Sequence, residues 1–171
     1  MAQFAGSIKA EDFDAGAWSE YGWVPVPDTD SRDGEHRLHF EWADAHVNFI
    51  GHDASEVTYT PEGIVCEMLF RHHTHTQALM VLNCPAAMVV AAPGTKFRGP
   101  QDASKLRAFL LRPLDAFVLH RGTWHWGPFP VGAPRVEMYN VQGLRYAEDN
   151  DCVRLDRVGA SVQVLTGRAD H

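Results

Sequence analysis

The sequence lacks three features that would each define a class of protein. No stretch approaches the roughly 18 consecutive apolar residues that a membrane-spanning helix needs, and the first residues do not combine a basic segment with an apolar one, as a secretory signal does. The cysteines, Cys66, Cys84 and Cys152, are odd in number and far apart, so they predict neither a disulfide framework nor a CxxC metal site. We therefore expect a cytoplasmic protein with buried, reduced cysteines and no membrane partner.

Positive charge is also scarce. Lysine and arginine total 15 against 22 aspartate and glutamate residues, which gives a net charge of -7. An acidic surface repels the phosphate backbone of nucleic acids, and the sequence contains neither a basic stripe nor a helix-turn-helix pattern. The expected partner is therefore a small molecule, and no binding of nucleic acid is expected.

Short apolar runs separated by glycine and proline dominate the 171 residues, of which 45% are hydrophobic. Such runs are too brief for long helices and predict about eight to ten short β-strands. One short amphipathic helix is predicted near the N-terminus, where Phe13, Ala17 and Tyr21 recur at helical spacing before Gly22. Size and pattern favour a single domain over residues 1–171, mainly β, folded as an antiparallel barrel or sandwich with one or two short helices.

Five of the ten histidines fall in two short windows, "FRHHTHTQALMVL" and "HRGTWHWGPF". They are His72, His73, His75, His120 and His125. A closed barrel brings distant strands side by side, with their side chains pointing into one mouth. We therefore expect His125 to lie close to the side chains of residues 72–77.

If the first window is one continuous strand, alternate residues share a face. Arg71, His73, His75 and Gln77 then point one way, and His72 points the other way with Thr74 and Thr76. Imidazoles two residues apart, joined by a third from a neighbouring strand, can hold a divalent first-row metal and leave positions open for substrate. The predicted metal ligands are His73, His75, Gln77 and His125. The alternative is a polar rim at a strand end, where the histidines contact only solvent.

In the second window, Gly122 permits a tight turn that aims His125 inward. Trp124 and Trp126 supply apolar walls or core packing, or cover a partner subunit together with the aromatic residue that follows. His120 is expected to brace the turn before Gly122. Four histidines in polar surroundings are expected to be solvated or structural: His36, His39, His46 and His52.

Both windows resemble the motifs of the cupin superfamily, HxH followed by an amide and an apolar strand, and later PxGxxH, which here reads "HRGTWH". More closely, the chain resembles the ureidoglycolate lyase family. The matching positions are Arg71, His72, Thr76, Gln77 and Ala78, then Leu106 to Phe109, and then His120, Arg121, Trp124 and His125. Weaker matches occur in "AEDF", "EYG" and "DNDC". The resemblance implies a cytoplasmic, jelly-roll-like cupin barrel, commonly a homodimer, that cleaves ureidoglycolate to glyoxylate and urea in purine or allantoin degradation.

The resemblance also implies roles for particular residues. Cleavage of a carbinolamide needs a base for the hydroxyl proton and a proton for the departing nitrogen, and histidine can supply both. The catalytic residues implied are His72, Gln77 and His125, with Gln77 orienting the ureido or carboxylate group. The substrate-binding residues expected are Arg71, Arg107 and Trp124, where either arginine neutralises the substrate carboxylate.

The chain departs from the family pattern at four positions. Phe70 stands where an acid is usual, His73 replaces a proline, His75 is an addition, and Cys84 replaces a glycine. The additional imidazoles of His73 and His75 and the loss of an acid at Phe70 change which groups can transfer protons and how strongly the site can bind a metal. The alternatives are therefore a metal-dependent cupin isomerase, dehydratase or lyase with another substrate, and a non-catalytic small-molecule-binding cupin. The cofactor is either one divalent transition metal (nickel, manganese, iron or zinc) or none.

Overall fold

The computed structural model describes residues 4–41 and 44–167, and residues 1–3, 42–43 and 168–171 of the predicted 1–171 domain lie outside this description. The described residues form one short α-helix, α1 (Ala15–Trp18), and fourteen β-strands. The strands are β1 (Gly6–Asp12), β2 (Gly22–Trp23), β3 (Ala45–Asp53), β4 (Tyr59–Thr60), β5 (Gly63–Cys66), β6 (Met68–Arg71), β7 (Gln77–Val81), β8 (Ala86–Ala91), β9 (Arg107–Leu111), β10 (Ala116–Leu119), β11 (Trp124–Pro130), β12 (Arg135–Gly143), β13 (Asp151–Arg154) and β14 (Val162–Leu165). Short 3-10 helices cover Ala54–Glu56, Pro100–Lys105, Tyr146–Asp149 and Asp156–Val158.

The strands form two sheets, which confirms the mainly β fold predicted from the sequence. The larger sheet has nine strands in the order β13-β6-β11-β8-β9-β1-β14-β5-β4 and curls into a half-barrel. The smaller sheet has five strands in the order β2-β10-β7-β12-β3. Most neighbours are antiparallel, as expected for a cupin-like barrel, but β1 runs parallel to both β14 and β9.

Strand β8 shows where the core lies, because all of its residues are buried. Successive side chains of a strand point to opposite faces. Ala87 and Val89 enter an apolar cluster built from the larger sheet and its loops, whereas Met88 and Val90 enter a second cluster that also contains Met138 of the smaller sheet. The second cluster therefore fills the space between the two sheets.

The predicted N-terminal helix is present but has only four residues. Asp14 caps it, since its carboxylate accepts a hydrogen bond from the Ala17 N–H at 3.0 Å. Trp18 is buried and its indole N–H donates to the Val118 carbonyl oxygen at 3.0 Å. A β-carbon on Gly22 would lie 1.6 Å from that same oxygen, so β2 can pair with β10 only through glycine. No helix in the described ranges is long and apolar enough to cross a membrane.

Two expectations about burial are corrected. Trp124, Trp126 and Phe129 are buried in the chain's own first core cluster, so they do not cover a partner subunit. All the cysteines are free, as predicted, but only Cys66 and Cys84 are buried, and Cys152 is exposed.

The first histidine window does not form one continuous strand. Strand β6 ends at Arg71 and β7 begins at Gln77, and between them His75 forms an isolated bridge to Phe40 within the described residues. The alternation of faces predicted for residues 71–77 is therefore wrong, because it requires an unbroken pleat. The connecting residues instead bend at His73 and Thr74 before the bridge at His75.

Candidate active site

The two histidine windows meet where β6 pairs with β11. The imidazole rings of His72 and His75 stack with their centroids 4.5 Å apart, and the His125 ring lies 5.4 Å from that of His72. His72 and His75 are buried and His125 is half-buried. The predicted approach of His125 to residues 72–77 is thus confirmed for His72.

A tight turn connects the second window to the first. Gly122 has a positive φ of 79°, which glycine adopts at little cost. Its N–H donates to the carbonyl oxygen of His72 at 2.6 Å, and the Thr123 N–H donates to that of His120 at 3.2 Å. His120 therefore closes the turn through its backbone, and the turn fixes the start of β11 against the first window.

Backbone carbonyls orient two of the rings. His72 Nδ1 lies 3.2 Å from the carbonyl oxygen of Asp149, and His125 Nδ1 lies 3.0 Å from that of Thr123. Because a carbonyl oxygen only accepts hydrogen bonds, each Nδ1 must carry the proton, which leaves a lone pair on each Nε2. Both rings therefore offer Nε2 as a base or as a metal ligand.

Burial keeps these imidazoles neutral. It lowers the pKa of His72 below the ordinary value, although the nearby Asp149 opposes the shift. Burial, with the charge of protonated His72 as a further cause, lowers the pKa of His75 to about 4 and that of His125 to about 3. At neutral pH the cluster therefore accepts protons or binds cations.

Asp149 contributes a carboxylate to the same cluster. Its Oδ2 accepts hydrogen bonds from the backbone N–H and the hydroxyl of Thr74, at 2.7 and 2.6 Å, and lies 3.4 Å from His75 Nδ1. Burial alone would raise the pKa of this carboxyl, but the Thr74 hydrogen bonds hold it below its ordinary value. Asp149 is therefore ionised beside the buried imidazole of His75.

Three side chains are placed to hold a metal ion. His72, His75 and Asp149 each offer one ligand atom, and these atoms lie within 4.8 Å of one another. His75 Nε2 is buried and has no hydrogen-bond partner among the described residues, so its lone pair is open to a cation. Two imidazole nitrogens and a carboxylate are donors that suit first-row divalent metals. The residues present thus fit such an ion.

This group shares only His75 with the ligand set predicted from the sequence. His73 is exposed, and its Nε2 lies 3.0 Å from the Asp151 carboxylate. Since the chain leaves β6 at Arg71, His72 rather than His73 packs against His75. The predicted HxH pair is not brought together, because the strand geometry that would align it is absent.

Gln77 is buried at the start of β7 and belongs to a row of amides. Its Nε2 donates to Asn140 Oδ1 at 2.9 Å and, more weakly, to Gln142 Oε1 at 3.4 Å. Asn140 Nδ2 in turn donates to Asn48 Oδ1 at 2.7 Å. Gln77 Oε1 is buried without a partner in the part of the chain that the structure describes.

The predicted substrate-binding residues are separated. The guanidinium carbon of Arg71 lies 4.1 Å above the ring of Trp124, and its Nη2 donates to the Asp151 carboxylate at 2.9 Å. Arg107 in β9 is held by Glu11 of β1 at 2.6 Å. Arg71 and Trp124 therefore bring the two histidine windows into contact with each other, whereas Arg107 is engaged by the neighbouring strand.

Sequence reasoning missed two members of the site. Asp149 begins the "DNDC" match but received no role, and only its hydrogen bonds to Thr74 reveal one. His46 was expected to be solvated or structural, yet it is half-buried, stacks on Tyr146 with centroids 6.0 Å apart, and interacts electrostatically with His75. The alternating pattern of β3 was visible in the sequence, but the sequence did not show that the side of the strand with His46 faces inward.

A curled β-barrel that carries clustered imidazoles and a buried carboxylate defines a small-molecule enzyme of the cupin-like class. Within that class, the sequence profile of the ureidoglycolate lyase family matches residues 26–162, which is most of the chain. The chain therefore belongs to the ureidoglycolate lyase family and is a lyase, as its motifs indicated. No curated protein matches it in sequence.

Proposed function

We propose that this lyase cleaves ureidoglycolate, or a closely related carbinolamide, at the cluster of His72, His75 and His125. The observation that carries the proposal is the pair of neighbouring rings, His72 and His125, whose Nδ1 atoms are both engaged by backbone carbonyls. Two neutral Nε2 atoms are then available for proton transfer in one small volume.

The reaction conserves protons, which suits a pair of imidazoles. C2 of ureidoglycolate carries both a hydroxyl and the ureido nitrogen. When the C2–N bond breaks, its electron pair stays on nitrogen, and the hydroxyl oxygen loses its proton to become the glyoxylate carbonyl. The nitrogen gains one proton and becomes urea. A neutral imidazole that takes the hydroxyl proton and returns a proton to the nitrogen satisfies this balance.

The environment favours His72 and His125 as the proton carriers. Their lowered pKa values leave both rings unprotonated at neutral pH, so each can act first as a base. Gln77 has a free carbonyl oxygen that can orient the substrate. Either Arg71, packed on Trp124, or Arg107 is assigned the substrate carboxylate.

As an alternative to proton transfer by His72, whose one free ring nitrogen is Nε2, we propose that His72, His75 and Asp149 hold a divalent transition metal (nickel, manganese, iron or zinc). Such an ion supplies Lewis-acid polarisation of the hydroxyl and carboxylate oxygens. His125 lies outside this ligand group and keeps its role in proton transfer. The same ligand group favours a second candidate function, a metal-dependent cupin dehydratase, isomerase or lyase that acts on another hydroxy acid.

The direct test is release of glyoxylate from ureidoglycolate by the purified protein. His72→Ala and His125→Ala should each lower kcat/KM by about 10²–10⁴. His39→Ala removes an exposed imidazole and serves as the matched control. A wild-type rate in His125→Ala would contradict the assigned site.

Metal analysis separates the two candidate functions. Near-stoichiometric metal that is lost in His75→Ala but kept in His73→Ala would support the ligand group seen here over the one predicted from the sequence. A metal-loaded, folded wild-type protein that releases no glyoxylate would favour the second function.

We also propose that the protein is cytoplasmic, folds as one domain over residues 1–171, takes part in purine or allantoin degradation, and forms a homodimer.

Exposed apolar side chains on the outer face of the smaller sheet support the dimer. Val47 is 57% exposed and Phe49 is 71% exposed, and the Phe49 ring lies 5.9 Å from that of Tyr139. Analytical ultracentrifugation of the wild type and of Phe49→Glu tests this. A wild type that sediments as a monomer would contradict it.

A further inference from the structure

Three buried side-chain atoms lack a hydrogen-bond partner within the described residues: His46 Nδ1, His75 Nε2 and Gln77 Oε1. Native proteins satisfy nearly all buried polar groups, so an unpaired one requires a partner from outside the chain, such as a ligand or a water molecule, or has a catalytic role. His75 and Gln77 are two residues apart in the chain, whereas His46 comes from β3. The approach of His46 to the other two is therefore not a consequence of sequence proximity.

The end of β12 brings these three residues together. Gln142 lies opposite His46 in the register of β12 and β3, and its Oε1 accepts from Gln77 Nε2. The next residue, Gly143, packs against the His75 ring, where an added β-carbon would lie 3.0 Å from the imidazole. The three residues thus lie around Gln142 and Gly143 at one end of the barrel.

The hydrogen bonds of the amide row determine the orientation of the Gln77 amide group. Asn140 donates to Asn48, so its Oδ1 is left to accept from Gln77 Nε2. That orientation leaves the unpaired Oε1 of Gln77 as a pure acceptor. His46 Nδ1 is also an acceptor when the neutral ring carries its proton on Nε2. Two acceptors without a donor therefore favour a ligand that donates hydrogen bonds.

We propose that Gln77 Oε1 and His46 Nδ1 form a subsite for the N–H groups at the ureido end of the substrate, with His46 as a specificity-determining residue. This inference rests on the proposed function, because it takes a ureido compound as the substrate. A ureido group carries N–H donors on both nitrogens, whereas a methyl or carboxylate group in its place would leave both acceptors unpaired. His75 Nε2 remains for the chemistry at C2.

Two unreactive ligands test the subsite. Ureidoacetate keeps the carboxylate and the ureido group but lacks the C2 hydroxyl, so it cannot be cleaved. N-Acetylglycine differs from it by a methyl in place of the terminal amino group. By calorimetry, the wild type should bind ureidoacetate at least about tenfold more tightly than N-acetylglycine, because a buried acceptor left unpaired is costly.

The variants His46→Phe and Gln77→Met should reduce that ratio towards one. His46→Phe keeps an aromatic ring against Tyr146, and it tests the subsite even if Gln77→Met, at a buried position, fails to fold. The matched control is His52→Phe on the same strand, whose imidazole contacts Glu56 and should leave the ratio unchanged.

The outcomes separate this inference from the proposed function. A wild-type ratio near one, or a ratio retained in His46→Phe, overturns the subsite whether or not glyoxylate is released. A high ratio that falls in His46→Phe supports the subsite, even if ureidoglycolate itself is not cleaved.

Discussion

The inner face of the smaller sheet has two halves with opposite character. The apolar half contains Leu79, Val81, Val136 and Met138, which belong to the cluster between the sheets. The polar half contains Gln77, Asn140, Gln142 and His46, and begins one inward-facing position further along the same strands. Only Tyr139 separates Met138 from Asn140, yet Met138 packs against apolar side chains and Asn140 lies in a row of amides.

This difference shows how stability and function are divided on a single face. Apolar side chains need nothing but burial, so the apolar half is complete in the folded chain. The polar half has hydrogen bonds along its amide row but also unpaired acceptors, which cost stability unless a ligand satisfies them. We therefore expect substitutions in the apolar half to affect folding and those near the polar half to affect catalysis.

The largest effect is expected at the histidines beside the polar half. Each single variant should lower the kcat/KM by about 10²–10⁴. If His72 and His125 transfer protons as a unit, the double variant His72→Ala/His125→Ala should lower it no further than the worse single variant does. Steady-state release of glyoxylate measures this. Losses that multiply in the double variant would show that the two rings act independently.

In the apolar half, Met138→Ala should lower the free energy of unfolding by about 2–5 kcal/mol, because Met138 is fully buried between the sheets. The kcat/KM per folded molecule should stay close to the wild-type value. Urea denaturation and activity measured well below the transition give both numbers. A loss of activity larger than the loss of folded protein would mean that the apolar half also contributes to catalysis.

Asn140→Ala should have a smaller effect on stability, about 1–3 kcal/mol, since Gln77 Nε2 and Asn48 Oδ1 lose their partner. Unlike Met138→Ala, it should also raise the KM, because Gln77 is no longer held in place. Replacement that leaves the KM unchanged would argue against a role for the amide row in binding.

The smallest effect is expected outside both halves. Arg112 and Asp12 form an ion pair at 2.9 Å, with side chains 67% and 75% exposed. Because solvent screens such a pair, Arg112→Ala should change the free energy of unfolding by about 0–1 kcal/mol and leave activity intact. Thermal denaturation together with an activity assay measures both effects. A larger change in either would show that this exposed ion pair contributes to stability or activity.

Much of the fold could be predicted from local patterns. Apolar runs between glycine and proline predicted short strands, and the spacing of Phe13, Ala17 and Tyr21 predicted the helix that begins after Asp14. Parallel pairing of β1 was not predicted, since it joins residues 98 positions apart in β9 and 156 positions apart in β14, and leaves no local signal.

The site was only partly predictable, for a related reason. Clustering of histidines indicated the right segments, but the parity rule selected His73 where the structure brings in His72. The break after Arg71 is stabilised by contacts to Asp149 and Gly122, which no pattern within the window reveals. The roles assigned to these residues remain predictions.

By itself, the sequence determined the class of fold, the family and the two segments that carry the imidazoles, because strand periodicity and short motifs depend on neighbouring residues. Only the tertiary structure decided which imidazoles meet, that Asp149 joins them, and that His46 and Gln77 keep unpaired acceptors. Burial and hydrogen bonding between distant segments determine those features, and both arise only when the two sheets close on each other.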